Sequence, residues 1–128
     1  MAAVYLVVDD SRAMRAFVKG ALEAAFDCRV DEATSGFEAL RLLPRSRYDA
    51  VIADVNMPDI NGFELIRLVR ASKHHGDVPI IVISTQISDA DLARARSLGA
   101  NGFVRKPFEG DEIVRAVTAC PARAEATP

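Results

Sequence analysis

The stretch Tyr48–Ile66, YDAVIADVNMPDINGFELI, decides the fold. Residues 50–53 are an apolar, β-branched run of the kind found in a strand covered on both faces, so Asp54 falls where that strand leaves the core. Pro58 forbids helix immediately before it, whereas Asn61 can cap a helix that follows, with Glu64 three residues on. The strand therefore delivers a half-sheltered carboxylate into a loop, and the loop feeds a helix.

Strand-then-helix alternation recurs on both sides of this unit. Towards the N-terminus, Val4–Val8 (VYLVV) is a second buried-strand run that ends in Asp9-Asp10-Ser11. Ser11 can cap a helix whose apolar positions Met14, Phe17, Val18, Ala21, Leu22 and Ala25 recur at helical spacing and which ends before Asp27. A short strand, Cys28–Ala33, follows. Ser35-Gly36-Phe37-Glu38 reads as a capping box opening a helix through Leu40 and Leu43 that Pro44 stops. Beyond Asp54, a helix runs from Phe63 to about Ser72, closed by His74-His75-Gly76. Pro79–Ser84 (PIIVIS) is a third apolar strand, and Ser88-Asp89-Ala90-Asp91 opens a helix through Leu98 closed by Gly99. A short strand, Gly102–Val104, leads to Arg105-Lys106-Pro107. The last helix, Asp111–Cys120, buries Ile113, Val114 and Val117 and is ended by Pro121. Strands this apolar need helices on both faces, so the pattern predicts a doubly wound α/β fold around a five-stranded parallel sheet.

Bulk properties narrow the class. The chain has 128 residues, half of them hydrophobic and 27% charged, which is one globular domain with enough apolar side chains for a core. No apolar run approaches the roughly 20 residues of a membrane span, and the N-terminus lacks signal-peptide features, so the expectation is a cytoplasmic protein without a membrane partner. Sixteen basic against eighteen acidic residues, a net charge of −2, give no reason to expect nucleic acid as a partner. Cys28 and Cys120 stand in neither a metal-ligand nor a CxxC spacing and read as small apolar residues kept reduced. Residues 1–121 are expected to form the domain. Residues 122–128, ARAEATP, lack apolar periodicity and read as a flexible tail or the start of a linker.

In open α/β sheets, ligands bind outside the carboxyl ends of the strands, where strand order reverses. With the order 2-1-3-4-5, Asp9 and Asp10 come up beside Asp54, one strand spacing of about 4.8 Å away. Ser84 lies on the other side, and Lys106 about two spacings off, a gap that its side chain and a bound phosphate could close together. Three carboxylates this close repel one another, and the usual resolutions are a raised pKa or a bound cation, of which the cation fits better here. Hard oxygen donors, few in number, suit Mg²⁺, which keeps waters and shares its shell with a phosphate. Asp54 is also a competent nucleophile: a carboxylate with an ordinary pKa near about 3.9 is ionised at neutral pH and needs no base. Attack on phosphorus would give an aspartyl phosphate, whose charge Mg²⁺ and Lys106 would offset.

In combination these residues resemble the two-component response-regulator receiver domain, the CheY-like family, with its flavodoxin-like (βα)5 fold. The resemblance is carried by VVDD at Asp9 and Asp10, DVNMPDINGFEL from Asp54, the hydroxyl of VIST at Ser84 and VRKPF around Lys106, and it covers about Val4 to Cys120. It implies Asp54 as phosphoacceptor, Asp10 as direct Mg²⁺ ligand, Asp9 acting on the metal mainly through water, and the main-chain carbonyl of Asn56 as another ligand. Ser84 stands where the family bonds the phosphoryl group and Lys106 where it has its lysine. Phe103 takes the place of the switching aromatic; as Phe rather than Tyr it has no phenolic hydroxyl for a switching hydrogen bond. Lys106-Pro107 would be cis, and Arg105 and Gln86 would flank the site. The implied partners are a histidine kinase or histidine phosphotransfer protein as donor, and a downstream protein on the face made by the fourth helix, fifth strand and fifth helix. Such a chain is a signalling domain that catalyses only its own phosphorylation and dephosphorylation, either as a stand-alone regulator or as part of something longer.

Other readings are weaker residue by residue. An aspartate-nucleophile Mg²⁺-dependent phosphohydrolase of the haloacid dehalogenase type has a second acid two residues after its nucleophile; here that position is Asn56, which cannot relay a proton as an acid does. A flavin-binding protein of the same fold needs a Ser/Thr/Gly-rich phosphate loop where this chain has Asp9 and Asp10. A receiver-like domain that is not phosphorylated would not need the full set of site residues. His74 and His75, being adjacent, point to different faces, and a His in a helix's last turn complements the helix dipole, so they read as structural.

Overall fold

The structure is a computed structural model and describes residues 2–85 and 88–120. The elements are β1 Ala3–Val8, α1 Arg12–Ala25, β2 Cys28–Ala33, α2 Gly36–Leu42, β3 Ala50–Asp54, α3 Gly62–Arg70, β4 Ile80–Ser84, α4 Asp89–Leu98, β5 Gly102–Arg105 and α5 Gly110–Ala119. The five strands form one parallel sheet in the order β2-β1-β3-β4-β5. Strand alternation sorts the apolar residues onto two faces. Leu6, Val8, Val51, Ala53, Ile80 and Val82 face α2, α3 and α4, where Phe63, Leu65, Ile66 and Val69 meet them. Tyr5, Val7, Ile52, Ile81 and Ile83 face α1 and α5, against Val18, Leu22, Ile113 and Val117. Central β3 and β4 are buried along their whole length. Truncating a residue such as the fully buried Ile52 to Ala would cost about 2–5 kcal/mol.

The local signals act largely as expected. Ser11, Ser35, Asn61 and Ser88 each cap a helix, accepting a hydrogen bond from the backbone N–H three residues on. Gly99 ends α4 with φ 113°, a left-handed conformation that a Cβ would strain. Pro44 ends α2 by entering a 3₁₀ turn, Leu43–Arg45, rather than stopping the chain dead. Cys28 and Cys120 are free thiols. Pro121 and the ARAEATP tail lie outside the described residues.

Three expectations need correction. Phe17 is not a core residue: it is 47% exposed and stacks edge-on against Phe108, ring centroids 5.6 Å apart. The stripe of α1 that reaches the sheet is narrow, with Val18 and Leu22 buried, and Phe17 falls beside it. Val114, likewise, is only half-buried. Finally, α3 ends at Arg70, before the histidines. Arg67 and Arg70 are the basic residues of its last turn, and the Arg70 guanidinium donates to the carbonyls of Gly76, Val78 and Gly99, turning the chain back early.

Candidate functional site

Among the described residues, the polar or charged ones that are buried are Asp9, Asp54 and Ser84, and all three sit at the carboxyl edge of the sheet. Strand register puts them there. Val8 pairs with Ala53, so Asp9 and Asp54 emerge side by side; Asp54 pairs with Ile83, and Ser84 with Arg105. The ladder continues past the last paired residues, with Lys106 N–H on the Ser84 carbonyl at 2.8 Å and Val55 N–H on the Ile83 carbonyl at 3.0 Å. Asp10 is exposed beside them.

Lys106 spans the gap by itself. Its Nζ lies 3.3 Å from Asp54 Oδ2 and 3.5 Å from Asp9 Oδ2, with the lysine side chain 16% exposed. One ammonium thus faces two buried carboxylates with a third alongside. Burial pushes the Asp9 carboxyl above its ordinary range, the Ser11 N–H at 2.9 Å pulls the other way, and the Asp54 charge raises it again against the lowering effect of Lys106. Asp54 accepts from the Asn56 N–H at 3.0 Å, which fixes one carboxylate oxygen.

The donor set fits a small hard cation. One oxygen from each of Asp9, Asp10 and Asp54 can be chosen so that all lie within 4.8 Å of one another. Mg²⁺ binds oxygens at about 2.1 Å and keeps several waters, so a slight closing of the three brings them to its shell. The Asn56 carbonyl belongs to the same loop, and Asp10 and Asn56 line one open cleft with Met57, Asn61, Phe63 and Arg94.

Phe103 is half-buried at the edge strand and packs on the α3/α4 side of the core, with the Arg96 guanidinium 5.7 Å above its ring. Lys106-Pro107 is cis. Arg105 lines a groove with Phe103, Glu112 and Arg115, and it is the next residue, Lys106, whose side chain reaches the acids. Gln86 lies outside the described residues. Sequence reasoning did not find Arg15, whose guanidinium donates to the Asp9 carbonyl at 2.7 Å and pairs with Glu32 at 3.2 Å, tying α1 to the end of β1. Nor did it find Arg94, stacked 4.6 Å from the Phe63 ring at the cleft wall. Helical spacing marks both as surface positions and says nothing of their reach.

A doubly wound parallel sheet whose switch-point edge gathers three acids, a hydroxyl and a lysine defines a class of domain built to handle a phosphoryl group beside a metal. Residues 5–118 match the model of the response regulator receiver domain, and the chain belongs to that family. Similar proteins include a chemotaxis protein CheY homolog of Campylobacter jejuni, 41% identical over 104 residues that make up 80% of each chain. The chemotaxis response regulator CheY4 of Vibrio cholerae is 33% identical and superimposes with a TM-score of 0.85 over 92% of this chain and 98% of that one. The receiver domain of a sensor histidine kinase of Pseudomonas aeruginosa, which has a magnesium ion coordinated in its active-site cleft, is 27% identical with a TM-score of 0.82 over 92% and 96%. The chain is therefore a phosphoacceptor signalling domain with a CheY-like fold, and nothing in these likenesses favours a phosphohydrolase.

Proposed function

We propose that Asp54 accepts a phosphoryl group from a histidine kinase or histidine phosphotransfer protein, and that the phosphorylated domain binds a downstream protein differently. An Asp54 carboxylate oxygen attacks phosphorus, the bond from phosphorus to the donor nitrogen breaks, and the imidazole leaves with the electron pair. Asp9, Asp10, Asp54 and the Asn56 carbonyl would hold Mg²⁺, which when bound offsets charge on the phosphoryl oxygens. Lys106 would supply a second positive charge, and the Ser84 hydroxyl would donate to the transferred group. The observation that carries this reading is the single ammonium within 3.5 Å of two buried carboxylates with a third acid adjoining, a surplus of negative charge sheltered at one sheet edge.

The output follows from position. Ser84 and Lys106 end β4 and follow β5, so a phosphoryl group on Asp54 pulls on the loops leading to α4 and α5, and Phe103 between them is the two-state element. Of the helices at this edge, α4 buries only Ala95, which suits a segment that must move. We place the downstream partner on α4, β5 and α5, and, by likeness to the CheY homologues, the protein in the cytoplasm. Incubation with a phosphorylated histidine kinase and Mg²⁺ should move label to the wild-type protein and not to Asp54→Asn. Equal transfer to that variant would overturn the assignment.

A further inference from the structure

We propose that Asp59 is a positioning residue for the metal site, and that through it the loop after β3 is coupled to α2. The inference rests on the reading that the Asn56 carbonyl is a metal ligand. Residues 55–62 are closed at the base by the Gly62 N–H on the Val55 carbonyl at 2.9 Å, and Asn61 is committed to capping α3. Residue 56 is tied to β3 by its N–H on Asp54 Oδ1 at 3.0 Å, and Asp59 ties the far side of the loop to α2: its carboxylate accepts from the Gly36 N–H at 3.2 Å and the Phe37 N–H at 2.9 Å.

Those amides are the first two of α2, which no helical carbonyl can reach, while the Ser35 hydroxyl takes the Glu38 N–H at 3.1 Å. One side chain from the metal loop thus completes the cap of a helix outside the site. Ile60 seals the same junction: a Cβ on Gly36 would stand 2.1 Å from Ile60 Cγ1, so the two segments meet with no room between them. The carbonyl of Asn56 is held by a loop whose sideways movement breaks the α2 cap. A loop ordered before the ion arrives binds it more tightly than one that must be ordered by it, and the coupling is reciprocal, so the ion should also be sensed at the start of α2.

Mg²⁺ titration of the whole chain, followed by amide NMR without any phosphodonor, tests this. In the wild type, Gly36 and Phe37 amides should shift with the ion. Asp59→Ala should raise the Mg²⁺ Kd about tenfold, at the low end of the cost of disturbing groups that hold a metal's ligands. Asp59→Asn, which keeps one acceptor and guards against loss of fold, should fall between. Ser35→Ala weakens the same helix start without touching the loop and should leave Kd unchanged. An unchanged Kd in Asp59→Ala and Asp59→Asn, or an equal rise in Ser35→Ala, would overturn the proposal. A wild type that binds no Mg²⁺ would instead overturn the metal reading beneath it.

Discussion

The two ends of the sheet treat charge in opposite ways. Where β4 and β5 begin, one guanidinium is matched to oxygens: Arg70 donates to the carbonyls of Gly76, Val78 and Gly99 and to Asn101 Oδ1, at 2.6 to 3.1 Å. Asn101 Oδ1 also accepts from Ile80 N–H at 2.9 Å, so the start of β4 is fixed as well. Where β1, β3 and β4 end, the ratio is reversed, and one ammonium stands among three carboxylates, two of them buried. The first arrangement is complete in itself and stabilises the fold. The second leaves a surplus of negative charge, which in the proposed function a cation and a phosphoryl group would complete.

Breaking the incomplete end should abolish chemistry. Asp10→Ala should slow Mg²⁺-dependent phosphorylation by acetyl phosphate about a hundredfold or more, since loss of a direct ligand exceeds the 10–100-fold of indirect changes. The protein should keep its melting temperature without metal. Rates from intact-mass time courses, unchanged between variant and wild type, would break the comparison at its stronger side.

At the complete end the effect should be on stability alone. Arg70→Ala removes a charged donor from several carbonyls that then lack it, a loss of about 3 kcal/mol by urea unfolding. Phosphorylation of the folded fraction should proceed at the wild-type rate. Between the two ends stands Lys106→Met, which leaves Asp9 and Asp54 facing each other uncompensated. It should cost about 2 kcal/mol without metal, less than a fully enclosed pair because Lys106 is 16% exposed, and Mg²⁺ should restore part of it.

The smallest effects, and the sharpest contrast, are in two carboxyl groups. Asp9 titrates above the ordinary 3.8 because it is buried next to Asp54. In Asp59, burial alone would raise the value, but the N–H groups of Phe37, Ile60 and Gly36 outweigh it and hold the carboxyl below 3.8. The signs differ accordingly. The Asp59 contribution to stability is present above its unfolded value and is lost as pH falls through the folded one. For Asp9 in the metal-free protein, stability is instead lost as pH rises from 3.8 through the raised value. Carboxyl-carbon NMR titration without Mg²⁺ should find Asp9 and Asp59 on opposite sides of 3.8.

Why the incomplete end was legible in the sequence, and the complete end was not, has a physical cause. Asp9, Asp54 and Ser84 each close a run of apolar strand residues, and parallel order alone brings such positions together. Lys106 follows the last strand by the same rule. Arg70, Arg15 and Asp59 act by reaching across from one element to another, over sequence separations as large as 31 residues for Arg70 and Asn101, and no local pattern encodes that reach. For the same reason Phe17 fits the periodicity of α1 yet lies outside the buried stripe, and α3 ends earlier than its sequence predicts because Arg70, not the histidines, turns the chain. Arg105 and Lys106 show the limit most plainly: adjacent and both basic, only one faces the acids.

That the buried carboxylate at the end of β3, Asp54, is the phosphoacceptor can be tested by phosphorylating the wild-type protein with acetyl phosphate and Mg²⁺, reducing it with borohydride, and sequencing its peptides by mass spectrometry. Reduction converts an aspartyl phosphate to homoserine. The account predicts homoserine at position 54 and at neither Asp9 nor Asp10, with none formed in EDTA; homoserine at another acid, or at position 54 with the metal chelated, would contradict it.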